Sequence, residues 1–205
     1  MADDPRLSAF GRFTPEARLT PGYGDHYLFF AGRDDLHGIL LALLSAETMG
    51  FKFNMFAYDD SGLNAAVMAL LQNPGVAVQG TLDKSQSRSA HEQQILGGDL
   101  ASDPDFYNSV VITESGTGQI SHTKGGVLTG QGLFFEGSTN WSASGEGTGI
   151  SLSGAQKPGW RAQNNTLLVG SNAVALARFS ARLDTEHVNV LGRLRRGGSA
   201  PATAG

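Results

Sequence analysis

Between residues 26 and 83 the apolar pattern alternates between the period of a strand and the period of a helix, and this leaves few folds open to the chain. Residues 26–31 (His-Tyr-Leu-Phe-Phe-Ala) read as a buried strand bounded by Gly24 and Gly32. Asp34 or Asp35 then caps a helix in which Leu36, Ile39, Leu40, Leu43 and Leu44 recur at three and four residues. That stripe runs to about Thr48, and Gly50 ends the helix. Residues 51–58 alternate and are rich in aromatics, as in a strand. Asp59 or Asp60 with Ser61 caps a helix over about 62–72, which Asn73-Pro74-Gly75 stops. Val76, Val78 and Leu82 mark a third strand ending at Asp83. A β-α-β-α-β run of this kind predicts an α/β layered fold.

The rest of the chain extends that frame. Residues 89–96 predict a helix and 107–113 a strand. Residues 120–129 and 132–136 predict two strands joined by a turn at Gly130-Gln131-Gly132. Residues 142–160 are rich in Gly and Ser and read as a loop; 166–169 form a short strand. A last helix starts after Ser171 or Asn172 and carries Leu176, Phe179, Leu183, His187 and Val190 on one stripe. The expected organisation is an irregular arm over 1–24, one domain over 25–191 and a flexible tail over 192–205. With 205 residues, 40% of them hydrophobic and 17% charged, the chain can bury one sizeable core.

Composition also removes several chemistries. There is no cysteine, so disulfides, thiolate metal sites and a cysteine nucleophile are excluded. A net charge of −4 is not the basic footprint of a chain coated in nucleic acid. The longest apolar stretch, 38–46, is far short of a membrane span, and the first residues show no basic region followed by an apolar run. A soluble chain, cytoplasmic by default, is the expectation.

Of the five histidines, only His122 has a lysine two residues on, in Ser121-His122-Thr123-Lys124. In a strand, positions i and i+2 face one side, so both side chains are expected in one site. An imidazole can attack phosphorus or carry a proton near neutral pH, and an ammonium beside it can hold phosphate oxygens. Just past the next strand lies Gly137-Ser138-Thr139-Asn140-Trp141-Ser142. Ser138 and Asn140 offer donors there, and Gly137 permits close backbone approach to a ligand. No cluster with metal-ligand spacing stands out. Trp141 reads as packing beneath the site, Asp59 and Asp60 as helix caps, and His91 and His187 as ordinary helix residues. Glu146 reads as loop, and Arg193, Arg195 and Arg196 as a solvated tail.

His-x-Lys followed by Gly-Ser-x-Asn resembles the signature of the phospholipase D superfamily. Gly75-Val76-Ala77-Val78 running to Asp83, and Gln163-Asn164-Asn165 ahead of a late strand, are similar to further family features; the resemblance spans about 27–190. It implies an α/β phospholipase D-like sandwich, with a mixed central β-sheet flanked by helices. It implies a phosphodiesterase acting on nucleic acid or phospholipid without metal or other cofactor. His122 would be the nucleophile that forms a phosphohistidine, or the acid and base partner. Lys124 and Asn140 would bind phosphate, Ser138 would orient the site, and Gln163 and Asn164 would line the pocket. Because two histidines are needed and one motif is present, the resemblance also implies a homodimer that completes the active site. Two departures are visible. The family's aspartate five residues after the lysine falls on Thr129, and the gap from Lys124 to Gly137 is one residue longer than usual. The loss at 129 motivates an alternative, a catalytically weakened phosphate-ester-binding module of the same fold.

Overall fold

The structure, a computed structural model, describes residues 5–12, 25–86, 89–102, 110–113, 120–151, 154–155, 158–159 and 161–197. Helix α1 (Pro5–Ser8) and a 3-10 turn (Ala9–Arg12) come first, so this part of the expected irregular arm is helical, and it buries Leu7 and Phe10. Strand β1 (His26–Phe30), helix α2 (Leu36–Ser45), β2 (Gly50–Met55), α3 (Ser61–Leu71) and β3 (Ala77–Asp83) follow as the alternation predicts. Next come α4 (Ala90–Ser102), β4 (Val110–Thr113), β5 (Lys124–Leu128) and β6 (Leu133–Gly137). After them come α5 (Ala143–Glu146), β7 (Ile150–Ser151), β8 (Gly154–Ala155), β9 (Thr166–Gly170) and α6 (Ala173–Gly197). The expected strand positions 107–109, arm positions 1–4 and 13–24, and tail positions 198–205 lie outside the described residues.

Seven strands form one mixed sheet in the order β1-β9-β6-β5-β2-β3-β4. β2, β3 and β4 run parallel, and the remaining neighbours are antiparallel. Helices cover both faces, giving the α/β sandwich that the sequence predicts. On one face Leu36, Ile39, Leu40, Leu43 and Leu44 of α2 and Leu63 and Val67 of α3 pack with Phe29, Phe51, Phe53 and Phe135. On the other, Leu183, Leu176 and Phe179 of α6 cover Val127 and Phe134. Period two divides β2 between these layers: Phe51, Phe53 and Met55 join the first core, while Lys52 and Asn54 meet Asp184 and Glu186 of α6.

β5 carries two glycines for a steric reason. A Cβ at Gly125 would sit 2.7 Å from the Phe135 carbonyl oxygen and from the Phe179 ring. One at Gly126 would sit 2.8 Å from the Lys52 carbonyl oxygen and the Phe51 ring. Aromatic rings from both layers close on the strand where its own side chains are missing.

Several boundaries differ from expectation. α2 stops at Ser45, before Thr48, because Glu47 turns back on the chain. Its Oε1 accepts from the backbone N–H groups of Thr48, Met49 and Gly50, and from Gly130 across the sheet, at 2.7–3.0 Å. Burial opposes the charge on Glu47, but these donors outweigh it and lower its pKa. Gly50 therefore opens β2 rather than ending a helix. The expected loop over 142–160 contains α5, capped by Ser142, whose Oγ accepts from Gly145 N at 3.1 Å. Its carboxyl end closes on Gly147 at φ 74°. α6 runs on to Gly197, into the segment expected as tail.

Trp141 is 1% exposed and stacks among Phe51, Phe53, Tyr58 and Phe135, with ring centroids 5.4–6.5 Å away. Its packing role is as the sequence predicts. Trp141→Ala is expected to cost about 3–5 kcal/mol of stability in urea denaturation. A loss below about 1 kcal/mol would mean that the aromatic stack does not support this end of the sheet.

Candidate active site

Sheet register gathers the motif residues at one edge. β5 begins where β2 ends, Lys124 opposite Met55. β6 ends where β9 begins, with Gly137 opposite Leu167. His122 and Lys124, Ser138 and Asn140, and Gln163 and Asn164 thus all enter or leave strands at the same side of the sheet. Asp83, at the end of β3, lies there too.

The route by which His122 and Lys124 meet differs from expectation. Residues 120–123 are outside any strand, so the pleat does not align the two side chains. β2 has already ended and offers no ladder partner beyond Met55. Ser121 N instead donates to Asp83 Oδ2 at 2.6 Å, and Ser121 Oγ to Asn54 Oδ1 at 3.1 Å. Asn54 Nδ2 in turn donates to Glu186 of α6. The chain bends through this anchor, and Lys124 Nζ donates to the His122 carbonyl at 2.7 Å. Both side chains contact the Phe56 ring: the His122 centroid is 4.6 Å away and Lys124 Nζ is 4.9 Å from the ring centre. His122 is exposed, whereas Lys124 is 3% exposed. Burial pulls the Lys124 pKa down to about 8, against the pull of the Asp83 carboxylate, which favours the charged form.

Gly137 has a structural part that the sequence did not suggest. A Cβ there would fall 2.1 Å from the Thr166 carbonyl oxygen, so glycine is needed for the close approach to β9. Ser138 Oγ accepts from Thr166 N at 3.0 Å, and Thr139 Oγ1 donates to Thr166 O at 2.9 Å. These side chains prolong the β6–β9 ladder to the point where Asn140 begins. Asn140 Nδ2 donates to Gln163 Oε1 at 3.2 Å. Asn165 Nδ2 donates to the same oxygen at 3.1 Å and to Gly145 O at 2.8 Å. Asn164 is exposed between them and takes no part in this set of bonds. Trp141 N donates to Ala57 O at 3.0 Å and Asp59 N to Trp141 O at 2.6 Å. The Asn140 segment is thereby tied to the stretch that carries Phe56, under His122 and Lys124.

Thr129 lies at the far end of β5, exposed, its N–H bonded to Gly50 O at 2.8 Å. Five residues of strand separate it from Lys124 by roughly 17 Å. A side chain there does not reach the motif edge, so the missing aspartate removes no group from it. At that end the buried carboxylate is Glu47.

Two acidic features went unseen in the sequence. Glu92, buried in the first turn of α4, has its pKa pushed up to about 7. Burial is the main cause; Ser89 opposes it, and the charges of Asp83 and Asp59 add to it. The folded chain therefore keeps a proton that the unfolded chain releases, so Glu92 lowers stability as pH rises from about 4.5 to about 7. Glu92→Gln should flatten that slope and stabilise the chain at pH 8 by roughly 2–3 kcal/mol. Equal urea midpoints for variant and wild type at pH 8 would refute this. The second feature is a cluster of His37, Asp60 and Glu146, whose ligand atoms lie within 4.8 Å of one another. Positions so far apart in the chain show no metal-ligand spacing. Burial, then the charges of Asp60 and Asp35, push Glu146 up to about 9.

No protein-family profile matches the chain, and no curated protein matches it by sequence. Solved structures do. The chain is similar to Nuc from Salmonella typhimurium, a phospholipase D family member, at 11% identity and TM-score 0.56, over 78% of this chain and 93% of that one. It is similar to NucT from Helicobacter pylori at 14% identity and TM-score 0.53, over 78% and 94%. Phosphatidylserine synthase from Haemophilus influenzae Rd KW20 matches at 12% identity and TM-score 0.55, over 77% of this chain and 36% of that one. The chain has the phospholipase D fold. Among the described residues no helix is long and apolar enough to cross a membrane.

Proposed function

We propose that the chain is a phosphodiesterase whose nucleophile is His122. The imidazole attacks phosphorus, the ester P–O bond breaks, and a phosphohistidine remains while the leaving alkoxide takes a proton. Water then attacks phosphorus, gives up its proton, and the P–N bond breaks to return free imidazole. Lys124 and Asn140 hold the non-bridging oxygens and stabilise the charge that grows on them. Ser138 and Gln163 keep Asn140 in place, Gln163 and Asn164 line the approach, and no metal enters the steps. The leaving-group proton comes from His122 of the partner subunit, in a homodimer whose two-fold axis joins the sites.

One observation supports this reading most: exposed His122 and buried Lys124 both contact the Phe56 ring, at the edge where Asn140 is anchored. Nucleic acid ranks ahead of phospholipid as substrate, because a small chain with one motif resembles bacterial endonucleases. The test is exposure to bis-p-nitrophenyl phosphate in the presence of chelator, followed by rapid quenching at alkaline pH. Nitrophenol release together with a p-nitrophenyl phosphoryl group on His122, seen by peptide mass spectrometry, is expected. Binding without release would reduce the chain to a phosphate-ester-binding module; turnover with no phosphohistidine would remove the covalent step.

A further inference from the structure

We propose that His37, Asp60 and Glu146 form a binding site for one first-row divalent cation, of the zinc or cobalt kind, separate from the phosphate edge. The three come from different elements: the first turn of α2, the N-cap of α3 and the last residue of α5. His37 Nδ1 lies 2.7 Å from Glu146 Oε2 and 3.4 Å from Asp60 Oδ2. Ligands about 2.0–2.2 Å from a tetrahedral ion stand about 3.3–3.5 Å from each other. The His37–Asp60 spacing already fits, and the His37–Glu146 spacing has to open by several tenths of an ångström.

Three further observations favour an ion over a plain histidine–glutamate pair. Glu146 has a fully buried side chain, and its Oε1 has no hydrogen-bond partner among the described residues. A carboxylate oxygen held from water without a donor is costly, and a cation would satisfy it. Asp60 commits Oδ1 to the Leu63 N–H at 2.7 Å, which leaves Oδ2 directed at His37. Gly62 supplies the space: a Cβ there would sit 3.0 Å from His37 Cε1. Two carboxyl groups and one imidazole converging on one point are also a donor set that a divalent cation can bind. The donor set is one nitrogen and two oxygens, with no sulfur, and the imidazole favours a first-row transition ion over calcium or magnesium. His37 keeps 26% of its side chain exposed, an open side for a water ligand. Because α5 follows Asn140 by a short turn, the bound ion would clamp α5 to α2 and α3. The proposal stands apart from the phosphohistidine reading and survives its failure.

The test uses the full chain, stripped with chelator and dialysed. Calorimetric titration with Zn²⁺ and absorption titration with Co²⁺ should each saturate at one ion per chain. His37→Gln, and Asp60→Asn, which keeps a good helix cap, should each weaken binding by at least about tenfold. His122→Ala should bind as wild type does. Absence of saturable binding, or unchanged affinity in both His37→Gln and Asp60→Asn, would overturn the site. Loss of binding in His122→Ala would do the same by moving the ion to the phosphate edge.

Discussion

Replacing His122 by Ala is expected to lower turnover of a diester by on the order of 10⁴-fold, with the fold retained. The side chain is exposed and rests tilted against Phe56, so its loss opens no core cavity. A mixing experiment sharpens the test. If each site takes one imidazole as nucleophile and one as acid from two subunits, any dimer with a single mutant chain is inactive. After unfolding and joint refolding of equal amounts, activity should then fall to about a quarter of the all-wild-type value, the fraction of purely wild-type dimers. A fall to one half, with activity tracking the wild-type share linearly, would mean that each chain acts alone. A strict monomer with full activity in a sizing experiment would likewise rule out a site shared between subunits.

Lys124 carries the second large effect. With its pKa held at about 8 by burial, the ammonium is lost just above neutrality. The kcat/KM profile, which reports the free enzyme, should fall about tenfold per pH unit above pH 8. Lys124→Met should lower kcat/KM by on the order of 10²–10³ near neutral pH and remove that limb. Stability supplies an independent check with a fixed sign. Between about pH 8 and 10.5 the unfolded chain holds the lysine proton and the folded chain does not. Lys124 therefore makes the wild type relatively more stable as pH rises through that window, and the methionine variant should lack the trend. A wild-type profile flat to pH 10, or a limb that persists in Lys124→Met, would show that another group titrates.

The fold was legible in the sequence where periodicity is strong and unbroken. α2 and α3 follow from leucine stripes and aspartate caps; Asp35 Oδ1 accepts from Gly38 N at 2.9 Å and Asp60 Oδ1 from Leu63 N. Trp141 was legible as core because a large ring beside a strand end has few other places to go. Other features depend on tertiary partners that no local pattern encodes. Residues 120–123 look like more strand, yet β2 runs out at Met55, and Asp83 takes the Ser121 N–H that a ladder would have used. α2 stops early because Glu47 finds a donor at Gly130, far away in sequence. The motif residues were recognisable by type, but the positioning parts of Phe56 and Asn54, and the bond from Ser121 to Asp83, were not; strand ends give no sign of which loops will meet above them. The His37 cluster is the extreme case, since its members share no local sequence at all.

The paired glycines of β5 have a consequence for how such a chain could change over time. A strand pinched between rings on both sides has no room to swell, so the lysine at its head is fixed in depth by a neighbour that cannot vary. At the opposite tip the backbone is held by Glu47 and Gly50, yet the Thr129 side chain is exposed and escapes that pinch. Side-chain replacement is therefore easier at exposed position 129, where the aspartate is replaced, than at positions 125 and 126, where a Cβ would collide with backbone and rings.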